Sequence, residues 1–134
     1  MSIASSVFIL GDATIFTEWR EDAGATLLLR VWDRPTAAGA TEGTPLTRAQ
    51  ISSISITAKD LWSDDTTLSA TEIDKNAAVF DTPLAWAEDS TGFNFRYNVP
   101  ASAFPSKGHK YQVAVTWTLA DGRVGKTIWE GIAQ

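Results

Sequence analysis

His109 is the only histidine of the chain, and it is the first residue to weigh for chemistry. A catalytic triad needs a histidine beside a nucleophile and an acid. Gly108 and Lys110 flank His109 at the mouth of a strand pattern, which predicts a solvated surface histidine rather than a base. There are no cysteines, so a thiol nucleophile, a thiolate zinc site and a disulfide scaffold are excluded. One histidine without cysteine does not make the usual tetrahedral zinc set. Asp64 and Asp65, with Asp60 and Asp74 near in sequence, offer oxygens of the kind calcium takes. The EF-hand spacing, with its glycine and closing glutamate, is missing, and a solvated acidic stretch is expected instead. Glu18, Glu21 and Asp22 flank Trp19 and Arg20. Two carboxylates could serve a glycosidase, but such a pair arises by chance in an acidic chain. Neither Gly-x-Gly-x-x-Gly nor a Walker loop is present. These residues predict no catalytic group, no bound metal and no cofactor, and so a protein that is not an enzyme.

The tryptophans are the remaining anomaly: Trp19, Trp32, Trp62, Trp86, Trp117 and Trp129. Exposed indoles suit stacking on sugars, as in a carbohydrate-binding module, or anchor a protein–protein interface. Trp32 and Trp117 fall on the apolar phase of strong strand patterns and are expected in the core. Trp62, Trp86 and Trp129 are less regularly placed and are candidate subunit-interface residues. Ile3, Val7, Phe8, Ile9 and Leu10 join them. They belong to an apolar stretch with no clean strand phase, expected to be an N-terminal arm over residues 1–12 that docks outside the domain.

The elements that must position these residues repeat every two residues. Phe93, Phe95, Tyr97 and Val99 alternate with Asn94, Arg96 and Asn98. Tyr111, Val113, Val115, Trp117 and Leu119 alternate with Gln112, Ala114, Thr116 and Thr118, and Ile54, Ile56 and Ala58 with Ser53, Ser55 and Thr57. Each pattern is a strand with one buried face. Ile54, Ile56, Phe93, Phe95, Val113, Val115 and Trp117 are the expected core. Weaker strands are expected over 14–19, 26–32, 77–80, 84–86 and 126–132. Asp121-Gly122 lies between the last two strand patterns and predicts a hairpin with a type I′ turn. Thr47…Gln50 and Ser69…Glu72 have capping-box spacing without a following helical period, so each predicts a single turn. Residues 100–105 are bounded by prolines and predict a short crossover. Residues 34–45 and 63–76 are polar or small and predict loops. Gly108-x-x-Tyr111-x-Val113 has the pattern of a tyrosine corner, in which the hydroxyl ties back to nearby backbone.

The chain has 134 residues and a net charge of −5. The length predicts one domain over residues 13–134 behind the arm. The sign of the charge argues against a nucleic-acid partner, which needs clustered Lys and Arg. No apolar run approaches the roughly 20 residues of a membrane span, and no signal peptide is expected at the N-terminus. Together the patterns predict an all-β, antiparallel immunoglobulin-like β-sandwich of about seven or eight strands with no long helix.

One resemblance sharpens the expectation. It rests on residues 24–31, on Pro45-Leu46-Thr47-Arg48-Ala49-Gln50-Ile51-Ser52-Ser53-Ile54-Ser55-Ile56, on residues 92–100 and on the closing hairpin at Asp121-Gly122. In this order the segments resemble the immunoglobulin-like N-terminal domain of tailed-phage baseplate upper proteins, and short stand-alone virion proteins encoded among phage head and tail genes. The resemblance covers residues 24–134. It implies a non-enzymatic structural part of a virion, assembled in the host cytoplasm. A capsid decoration or cement protein is favoured, because the chain is a single domain with an apolar arm. A tail or baseplate component is the alternative within that class, and a carbohydrate-binding module is the alternative outside it. The implied partners are other virion proteins, the major capsid protein or tail proteins, and further copies of the chain in a homo-oligomer.

Overall fold

The computed structural model describes residues 2–9, 12–32, 46–86 and 89–134, with side chains described for residues 14–29, 31, 46–81 and 94–134. Alternation decides which faces meet. In β4 (Ile51–Asp60) and β8 (Lys110–Leu119), apolar residues are buried at every second position. These two strands pair antiparallel with Ile56 opposite Val115. β9 (Val124–Ile132) follows β8 through the predicted hairpin, and β5 (Asp65–Ile73) lies along the far side of β4. β2 (Asp12–Phe16) completes this sheet, giving the order β2-β9-β8-β4-β5. The second sheet is β1-β3-β7-β6, built from β1 (Ser2–Ile9), β3 (Ala25–Trp32), β7 (Asp89–Val99) and β6 (Val79–Trp86). The orders β3-β7-β6 and β9-β8-β4-β5 match the B-E-D and G-F-C-C′ arrangement of an immunoglobulin-like sandwich, and β1 and β2 each add a parallel strand to the end of one sheet. The longest helix among the described residues is the turn α1 (Lys75–Ala78), which carries the chain from one sheet to the other.

The core lies between the sheets. Leu27, Leu29, Val31, Phe95 and Val99 of one face Ile54, Ile56, Val113, Val115 and Trp117 of the other. Phe95 and Trp117 meet edge to face at 4.8 Å between ring centres, the geometry favoured by aromatic quadrupoles. Trp19 is fully buried; it stacks on Phe104 at 4.6 Å and donates its indole N–H to the Tyr111 carbonyl. Asn94 is buried as well, with its amide bridging Val31 N and O and reaching Leu46 O.

Several expectations need correction. The arm over residues 1–12 is strand instead: Ser2–Ile9 pairs in parallel with β3, and Asp12–Phe16 pairs in parallel with β9. An apolar stretch without alternation still pairs, because the ladder is made by backbone groups. These two parallel pairings also qualify the expected antiparallel sheet. Residues 65–73, expected in a loop, form β5. Only Ile73 of this strand is buried, so its side chains are those of an exposed edge. The segments at 77–80 and 84–86 become α1 and the single irregular strand β6. The hairpin at Asp121-Gly122 is real but its turn is not type I′. Gly122 alone has positive φ, at 93°, and its N–H donates to the Leu119 carbonyl. The expected loop at 34–45 and the side chains of Trp32 and Phe93 lie outside what is described.

Candidate functional site

The loops at one end of the sandwich converge on a small cluster. β4 ends at Asp60 and turns back through residues 61–64, while β8 begins directly beside it, with Asp60 opposite Tyr111. Asp60 is only 4 % exposed. Its Oδ1 accepts the backbone N–H groups of Trp62 at 2.9 Å and Ser63 at 3.2 Å, and its Oδ2 lies 2.6 Å from His109 Nδ1. An ionised carboxylate only accepts, so Nδ1 carries the proton and Nε2 is the ring nitrogen left to exchange with solvent or a ligand. Burial pushes the Asp60 carboxyl up. The hydrogen bond from His109, the N–H groups of Ser63 and Trp62, and the electrostatic attraction of His109 outweigh it and hold the group below its ordinary 3.8.

The clamp orders an exposed aromatic. Trp62 is 64 % exposed, yet its backbone is held by Asp60 and its ring lies 5.5 Å from the His109 ring, tilted by 35°. Asp64, at positive φ of 64°, closes the turn, and Lys59 Nζ pairs with it at 2.6 Å. On the other side of His109, Ser106 donates its N–H to the Tyr111 hydroxyl at 2.7 Å, and that hydroxyl donates to the Ser106 carbonyl at 3.2 Å. The tyrosine corner expected from Gly108-x-x-Tyr111 is therefore present, and it fixes the turn that carries His109.

His109 is thus not the free surface histidine its neighbours suggested. Its bond to Asp60 spans 49 positions of chain, and no local pattern signals it. Chemically the cluster is a clamp: both Asp60 oxygens are occupied, and what faces outward is an indole and one imidazole nitrogen.

Of the interface candidates, Trp62 is exposed. Trp129 is not: it is fully buried, on the same phase of β9 as the buried Gly125 and Thr127. Lys126 and Glu130 mark the outward phase, a signal present in the sequence. The side chains of Ile3, Val7, Phe8, Ile9 and Trp86, and Leu10 altogether, lie outside what is described. Among the described residues the structure adds three exposed large apolar residues that the sequence did not single out, Phe16, Val124 and Ile132. Among the described residues no group of three or more acidic, histidine or cysteine side chains is placed to hold a metal.

Fold and site together define an immunoglobulin-like sandwich presenting a clamped tryptophan at one end. No protein-family model matches the chain, and no curated protein matches it significantly.

Proposed function

We propose that the protein is a non-enzymatic structural component of a tailed-phage particle, and within it a capsid decoration protein that contacts the major capsid protein and neighbouring copies of itself. The observation that supports a contact role is Trp62. A tryptophan exposed to this degree adds little to the core, while a rigid indole loses little entropy on docking. The Asp60–His109 pair next to it serves to hold that indole in place, which suits binding rather than turnover. The assignment to a virion rests on the resemblance of residues 24–134.

The test is the composition of purified particles from the encoding genome, with heads and tails separated on a density gradient and quantified by mass spectrometry. Decoration requires the chain in the head fraction at a fixed ratio to the major capsid protein. Recovery with tails would replace it by the tail or baseplate alternative, and absence from both fractions would overturn the virion reading. Trp62→Ala should weaken attachment roughly tenfold or more, the loss expected of an anchor tryptophan.

A further inference from the structure

β6 begins at Val79, opposite Phe95 of β7. Beyond that point β7 continues alone on that side. Residues 96–99 pair with Leu28, Leu27, Thr26 and Ala25 of β3, and among the described residues no strand pairs along their other edge. In an antiparallel ladder alternate residues aim N–H and C=O away from the partner, so this edge carries backbone donors and acceptors without a strand to meet them. The edge opens on a cleft of about 310 Å³ between Arg96 and Asn98 on one side and Asp74, Ala77 and Ala78 on the other. The alanines leave the cleft wide, and β7 ends at Val99, just before Pro100.

Arg96 adds the chemistry. Its guanidinium lies over the Phe80 ring, 5.4 Å from the centre, and among the described residues it makes no ion pair. A cation poised at the mouth of an open strand edge selects a neighbour of opposite charge, as cross-strand pairs do.

We propose that this cleft is a strand-addition site for an extended peptide segment of a partner protein that carries a carboxylate side chain facing Arg96. Main-chain hydrogen bonds to residues 96–99 supply the affinity, and the Arg96–carboxylate pair sets register. The free edge is about 10 Å long at the usual rise of a strand, enough for three or four residues of the incoming segment.

The probes are two synthetic hexapeptides, acetyl-Thr-Val-Glu-Val-Thr-Val-amide and the same peptide with Lys for Glu, titrated into the isotopically labelled chain by NMR. The Glu peptide is expected to shift resonances of residues 96–99 and slow exchange of alternate amides there. The Lys peptide is expected to bind roughly fivefold more weakly. Arg96→Glu should reverse that preference, and Ala77→Trp, which fills the cleft, should abolish both responses while the remaining spectrum is unchanged. If Ala77→Trp fails to fold, the Arg96→Glu reversal decides alone. No response at residues 96–99 up to about 1 mM Glu peptide, or equal binding of both peptides to the wild-type chain, overturns the proposal.

Discussion

The Asp60 carboxylate lies 2.6 Å from His109 Nδ1 and joins the last residue of β4 to the turn that precedes β8. Through its other oxygen it holds the backbone of Trp62 and Ser63. One buried acid therefore orders two loops and the exposed indole between them.

This clamp has a pH signature. The folded-state pKa of Asp60 is lowered from 3.8, so its contribution is fully present above the unfolded value and is lost as pH falls through the folded one. Asp60→Asn should cost roughly 1–3 kcal/mol near pH 5, the ordinary worth of hydrogen bonds to a charged group. The gap between wild type and variant, measured by denaturant unfolding, should narrow as pH drops below 3.8. A gap that stays constant down to the acid limit would mean that Asp60 is not held as an anion.

Tyr111→Phe removes the hydroxyl that serves both Ser106 N and O. The Ser106 N–H then lacks its partner in a half-buried turn, and a loss of roughly 1–2 kcal/mol follows. Amide exchange should rise at residues 104–109 before it rises elsewhere. Uniform change across the sandwich would show that the corner does not act locally.

Gly131 sits where the chain after β2 runs in parallel alongside β9, with Thr17 N–H donating to Glu130 O and Trp19 N–H to Ile132 O. A Cβ placed there would collide with the Thr17 backbone carbonyl, while at Gly108 nothing lies within 4 Å. Gly131→Ala must move backbone and should cost about 2 kcal/mol or more. Gly108→Ala carries only the strain of its positive φ, about 1–2 kcal/mol. Thermal unfolding that ranks Gly108→Ala as the more damaging change would contradict this packing.

Val115 is fully buried opposite Ile56. Val115→Ala should cost roughly 1–3 kcal/mol in transfer and cavity terms. A loss below about 0.3 kcal/mol would place this face of β8 outward.

The exposed Trp62 should behave oppositely to the core indoles. Trp62→Ala is expected to leave the melting temperature within about 2 °C of wild type, since surface changes stay within about 0.5 kcal/mol. Trp117→Ala, which empties a fully buried site, should cost about 3–5 kcal/mol.

The central strands were legible because a half-buried strand writes its burial into every second residue. β4 and β8 read this way from Ile54, Ile56, Val113, Val115 and Trp117, all of them buried. The tyrosine corner was legible too, since Gly108 and Tyr111 are close enough in sequence for a local motif to specify the bond. Trp129 was legible in principle from the charges that alternate with it. Other features depend on neighbours that sequence does not display. β5 buries little and so has no pattern to read, and it exists because β4 offers it a ladder. β1 and β2 pair in parallel with β3 and β9, contacts made by backbone groups that every residue carries alike. Asp60 looked like one acid among several; packing against β8 removed it from water, brought His109 to it, and turned a surface carboxylate into a buried clamp. Local chemistry determined which segments could be strands, and tertiary packing decided which polar groups lost their water and therefore had to find each other.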